Sequence, residues 1–186
     1  MTLEFAGDNP CVVLYDAEGA VVSAVSFWDA DFSLSGTGRA LFFLSTRNGR
    51  PEGRIFAEDK APIDFFRGLN QHFLGFEAIP WASIQPEPAR FEAGWTDDAY
   101  AIACAHGAGR IDVGWRDLET PTMLKQRSTE FGGEAGRSYD IASVIIGASG
   151  GTIRVDGEPL PGSIRSPYGA LPRSAFLAFC ETWLRL

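Results

Sequence analysis

Lysine is almost missing from these 186 residues, with only Lys60 and Lys125, and histidine is as scarce, with only His72 and His106. Three cysteines, Cys11, Cys104 and Cys180, stand far apart with no CxxC spacing. An odd, scattered set of thiols speaks against a disulfide framework and for a reducing compartment. Two distant histidines and three dispersed cysteines offer no zinc spacing, so no metal site is expected. No apolar run exceeds Ala99 to Ala105, far short of a membrane span, and the N-terminal residues lack a basic region followed by an apolar stretch. The expected location is cytoplasmic, with no membrane partner.

Excess negative charge excludes more. A formal net charge of −8 repels nucleic acid and anionic membranes over long range, so no nucleic-acid partner is expected. Arginine carries nearly all the positive charge, and arginine is the better bidentate partner for carboxylate or phosphate. A hydrophobic fraction of 45% and an aromatic fraction of 12% suit a packed globular core. The length suits one domain, 1–186, able to bury about 70% of the surface of its unfolded chain.

Short apolar runs bounded by turn residues recur along the chain, the pattern of hairpins rather than βαβ units. Cys11 to Tyr15 and Ala20 to Trp28 flank Asp16-Ala17-Glu18-Gly19. Ala40 to Ser45 and Arg54 to Ala57 flank the segment from Asn48 to Gly53. Ala99 to Ala105 and Arg110 to Trp115 flank His106-Gly107-Ala108-Gly109, and Asp140 to Ile146 and Thr152 to Val155 flank Gly147 to Gly151. Side-chain parity agrees in the third hairpin, where Tyr100, Ile102 and Cys104 share one face and Ile111, Val113 and Trp115 share another. Gln85 to Pro88 reads as a loop.

Two segments have helical spacing. Pro62 to Leu69 places Pro and Asp64 in the first turn and Phe65, Phe66 and Leu69 on one side. Pro172 to Leu184 sets Phe176, Phe179, Cys180 and Trp183 on a stripe, with Glu181 and Arg185 outside it. The expected fold is mainly β: an antiparallel barrel of lipocalin-like design or a two-layer sandwich, of about ten strands, with a short internal helix and a C-terminal amphipathic helix. No motif assigns the chain to a family.

Several patterns imitate active sites. Gly147-Ala148-Ser149-Gly150-Gly151 matches G-x-S-x-G, but a nucleophile elbow needs a following helix and a later histidine, and neither is there. A glycine-rich hairpin turn is the better reading. Cys104 and His106, two apart on a strand, share a face as a thiol and its base would; a buried cysteine beside a turn histidine explains them as well. Asp29-Ala30-Asp31 reads as a solvated loop rather than a cation site. Gly36-Thr37-Gly38 leads into a strand, where a dinucleotide fingerprint requires a helix. Arg39, Arg47, Arg50 and Arg54 make a local basic excess fit for an anion or for ordinary surface pairing.

The most specific ligand-binding candidates are Tyr100, Trp115, Lys125 and Arg127. In this reading Met123 to Phe131 forms a strand with Met123, Lys125, Arg127 and Thr129 on one face. If that face looks into a cavity, Lys125 or Arg127 anchors the head of a small apolar or anionic molecule while Trp95, Tyr100 and Trp115 form its walls. Isolated buried cations are costly, which favours water as their surroundings. Three functional classes follow: a small-molecule binding protein, an enzyme using acid–base or thiol chemistry in the same cavity, or an interaction module able to form a homodimer. The cofactor, if any, is unknown from the residues.

Overall fold

The computed structural model describes residues 1–47, 49–71, 75–128 and 138–186. Twelve strands among them form one hydrogen-bonded sheet. In chain order they are β1 (Thr2–Asp8), β2 (Cys11–Tyr15), β3 (Val21–Ser33), β4 (Gly38–Arg47), β5 (Arg50–Ala57), β6 (Pro86–Trp95), β7 (Ala99–His106), β8 (Gly109–Leu118), β9 (Thr122–Ser128), β10 (Tyr139–Val155), β11 (Glu158–Pro159) and β12 (Ala175–Arg185). Pairing runs from β12 through β2 and successively to β8, then to β10, and from β10 back to β12. All pairs are antiparallel except β5 with β6, whose connection carries helix α1 (Ile63–Asn70). That parallel pair departs from a pure succession of hairpins, and it makes Pro86 to Pro88 strand rather than loop.

Alternation sorts the large apolar residues into two cores. Val12 and Leu14 of β2, Phe27 of β3 and Leu41 of β4 face Phe91, Ile102, Val113 and Trp115 across the space between two layers. The intervening residues Cys11, Val13, Trp28 and Phe42 point the other way, into a second core roofed by Phe66 and Leu69 of α1, by Phe76, Ile79 and Trp81, and by Tyr168. Strands β2 to β4 are therefore buried on both faces, which is why they read as nearly continuous apolar runs. Helix α1 forms where its spacing predicts, with Asp64 in the first turn paired to Arg67 at 2.7 Å and Phe66 stacked on Trp28 at 5.3 Å.

Three further expectations are corrected. The C-terminal segment is strand β12, not a helix. It lies between β10 and the β1/β2 ribbon, and Ala175 to Ala178 are buried on both faces. One extra residue is inserted where Val144 pairs with Phe179 but Ala142 pairs with Thr182. This bulge shifts parity, so 176, 178, 181 and 183 face one core, a spacing that imitates helical periodicity. Asp29 to Asp31 likewise belong to β3 and not to a loop.

The fourth hairpin does not exist. Strand β10 runs unbroken through Gly147 to Gly151, pairing first with β12 and β9 and then with β8. These glycines serve close approach as the strand changes layers, not a reversal of direction: a Cβ on Gly151 would stand 2.7 Å from the Ala175 Cβ and 2.9 Å from Ile164 Cγ2. Gly151→Ala is expected to lose about 1–3 kcal/mol of stability, read as a lower urea midpoint at unchanged slope. Gly94→Ala, which meets open space, is expected to leave the midpoint nearly unmoved.

Candidate functional site

Proline has no N–H to donate, and Asn9-Pro10 interrupts what would otherwise be one long strand. β1 pairs with Asp29 to Ser33 of β3, and β2 pairs with Val21 to Ser26, so the two lie end to end along β3. The break is held together by hydrogen bonds. Asn9 N donates to Ala178 O at 2.8 Å, and Phe27 N donates to Pro10 O at 2.9 Å. The Asn9 Nδ2 amide donates to Ser26 Oγ at 3.0 Å and Phe27 O at 2.8 Å. A carbonyl oxygen only accepts, so Phe27 O fixes which end of the Asn9 amide points to it. The other end, Oδ1, is buried with no partner among the described residues. An orphaned buried acceptor costs about 1–3 kcal/mol.

Across from this break sits the β12 bulge. Cys180 takes a left-handed φ of 51°, and its N–H donates to Asp8 Oδ1 at 2.9 Å. The inserted residue leaves Cys180 exposed and turns Glu181 inward beside Phe176, Ala178 and Trp183. These side chains, with Leu124 of β9, Ile141 and Ile145 of β10, and Tyr168 and Leu171 of the β11–β12 connection, line a cavity of about 320 Å³. Asn9, Gln126 and Glu181 supply its polar lining, and Gly169 and Ala170 belong to its wall. Among the described residues that line it there is no lysine, arginine or histidine, and the one charged side chain is the carboxyl of Glu181.

Burial pushes the Glu181 carboxyl up to about 7, and the negative charge of Asp8 adds to that; hydrogen bonds from Trp183 and Ser143 pull the other way. Trp183 Nε1 donates to Glu181 Oε1 at 2.6 Å. The pocket lining thus holds both an acid whose value is raised toward neutrality and a residue with a buried acceptor lacking a donor. Perturbed acids in apolar clefts are a mark of functional sites.

A second set of acids adjoins the first through Asp8. The β1–β3 register sets Asp8 opposite Asp29, and the β3–β4 register sets Asp29 opposite Arg39. Burial foremost, then Asp31, Asp8 and Glu58, push Asp29 up to about 6 against the pull of Arg39. Arg39 is itself held by Glu58, with Nε and Nη2 on Oε1 at 3.0 and 2.6 Å.

The residues singled out from sequence fall in two separate places. Tyr100 and Trp115 pack 5.8 Å apart in the core between the layers, where Trp115 Nε1 donates to Cys11 O at 2.9 Å; Trp95 joins Tyr100 at 5.2 Å. Lys125 and Arg127 lie exposed on β9, and Arg127 forms a two-pronged pair with Asp140 at 2.8 and 3.0 Å. The structure joins each pair but does not bring the aromatics to the cations. On β9 it is Leu124 and Gln126 that face the pocket; Thr129 and Phe131 lie outside the described residues.

Other candidates have ordinary surroundings. The Cys104 thiol is buried, which pushes it up to about 12, the reverse of activation. His106 lies tilted against the Phe56 ring at 4.3 Å, and its basicity is lowered by burial and by Arg54. Ser149 lies within β10, and its hydroxyl donates to Asp117 O at 3.4 Å. Arg54 is bound two-pronged by Glu87 at 2.9 and 2.7 Å, so the arginine cluster is partly neutralised by acids distant in sequence. His72 lies outside the described residues, as does the Arg47 side chain.

Asn9 and Glu181 were not singled out from sequence. Asn-Pro was a visible signal of a chain break, but Glu181 carries no local sign of burial, because the bulge alone turns it inward. A carboxyl with a raised folded value favours the folded state at low pH, and that advantage is lost as pH climbs. Between about pH 4.5 and 7, wild-type stability is therefore expected to fall by about 3 kcal/mol relative to Glu181→Gln, whose side chain does not titrate. Urea unfolding of both proteins across that range checks the slope.

No protein-family model matches the chain, and no curated protein matches it. Among solved structures, acetoacetate decarboxylase from Legionella pneumophila is similar over 97% of this chain and 82% of its own, at 11% identity and a TM-score of 0.42. At that distance no residue role passes from that protein to this one.

Proposed function

We propose that this chain binds a small, largely apolar molecule in the pocket enclosed by β9, β10, β12 and the segment carrying Tyr168 and Leu171. The observation that carries the reading is the convergence of a buried carboxyl, Glu181, and an unpartnered buried acceptor, Asn9 Oδ1, on one apolar cavity. Empty cavities in proteins are apolar, whereas polar groups in a cavity wall take a partner, a bound water or a ligand. Here two polar groups sit at a desolvation cost where apolar side chains would stabilise the fold more. The volume of about 320 Å³ is at the small end for ligand sites and suits a molecule of at most three rings.

Fluorescence titration with 1-N-phenylnaphthylamine, an apolar probe of that size, tests the proposal. Saturable one-to-one binding is expected. Ala170→Trp places a bulky side chain at an exposed position of the pocket wall without touching the core, and is expected to weaken the probe by at least about tenfold at unchanged urea midpoint. If wild type shows no saturable binding, or the tryptophan variant binds as well as wild type, the pocket is not the binding site.

A further inference from the structure

Resting on that reading, we infer that the pocket selects apolar molecules ending in a protonated amine, with the ammonium group placed between Asn9 Oδ1 and the Glu181 carboxylate. The inference follows from the count of donors and acceptors. Asn9, in the pocket lining, spends both donors of its amide on Ser26 Oγ and Phe27 O, so the only hydrogen-bonding capacity its side chain has left is that of an oxygen. Once ionised, Glu181 accepts from Trp183 Nε1 at Oε1 and from Ser143, and its remaining capacity is again to accept. The polar end of the cavity therefore asks for a donor.

Three head groups can be weighed against it. A carboxylate or phosphate brings only acceptors, meets Glu181 as a like charge, and finds no cation in the described lining. A hydroxyl has one hydrogen to give and satisfies one of the two acceptors. An ammonium carries three donors and a charge opposite to that of Glu181, and charge-assisted hydrogen bonds are about twice as strong as neutral ones. The acidic protein as a whole draws cations toward the pocket.

Protonation couples to this choice. The titratable groups around Glu181 are Asp8, whose negative charge reaches it from β1, and Tyr168 from the β11–β12 connection; β10 contributes the Ser143 hydroxyl and β9 the Gln126 amide, both uncharged. Burial holds the Tyr168 phenol neutral throughout the range. Asp8, also raised by burial, gains charge in the same direction as Glu181 when pH rises. An amine that stays protonated should therefore bind more tightly at pH 8 than at pH 6, and its binding at pH 6 should release a proton.

Isothermal titration calorimetry with 2-phenylethylamine, 2-phenylethanol and 3-phenylpropionate at both pH values tests the inference. At pH 8 the amine is expected to bind at least about tenfold more tightly than either of the others, with a smaller advantage at pH 6. In Glu181→Gln the advantage should fall to within about threefold and lose its pH dependence. The inference is overturned if wild type prefers the carboxylate or alcohol, if the amine's advantage does not grow with pH, or if Glu181→Gln keeps the preference. The wild-type pH comparison decides the matter even if the variant does not fold. Binding of 1-N-phenylnaphthylamine without any amine preference removes this inference and leaves the pocket standing; failure of all four molecules to bind removes both.

Discussion

One hydrogen bond organises the region on which function is proposed to depend: the Cys180 N–H donated to the Asp8 carboxylate at 2.9 Å. A left-handed residue other than glycine costs about 1–2 kcal/mol and persists only where its surroundings impose it. Here the imposition comes from the break in the neighbouring ribbon at Asn9-Pro10, which leaves one side of β12 without a regular ladder between its contacts to β2 and those to β1, while the other side stays paired with β10. The extra residue takes up the slack. Everything after it changes face, so that Glu181 and Trp183 look into the outer core while Cys180 looks to solvent.

The same carboxylate links two electrostatic systems. Asp8 faces Asp29 in the register of β1 and β3, and its charge also raises Glu181. Like charges opposite one another in a sheet repel, and the repulsion is relieved when one of them holds a proton. A run of acids with raised values, Asp8, Asp29 and Glu181, thus lies along the seam between β3, β1 and β12. Arg39 terminates the run on one side, and the apolar pocket terminates it on the other. A bound cation in the pocket would take the place that Arg39 fills at the opposite end.

Much of the fold was legible because alternation needs no knowledge of neighbours. The hairpins of β2 with β3, β4 with β5 and β7 with β8 stand where the apolar runs and turn residues put them, and α1 forms at the segment with helical spacing. Tyr100, Ile102 and Cys104 share a buried face, as do Ile111, Val113 and Trp115. The mistakes share one cause. Gly147 to Gly151 have the composition of a turn but lie where two layers approach too closely for a side chain, and Phe176 to Trp183 have the spacing of a helix because a bulge offsets a doubly buried strand.

The amino-acid sequence by itself determined a mainly β chain with a net negative charge, a short internal helix and, among the described residues, no helix long and apolar enough to cross a membrane. Those properties depend on residue type and on spacing within a few positions, which the chain carries locally. Tertiary structure alone decided that Glu181 is buried, that Asn9 keeps an acceptor in reserve, and that the Lys125 and Arg127 side chains lie apart from Tyr100 and Trp115. Each of these depends on which strands become neighbours and on where one residue is inserted between them. The partners stand far apart in the chain, Asn9 beside Ala178 and Asp8 beside Cys180, and only the closed set of pairings brings them together.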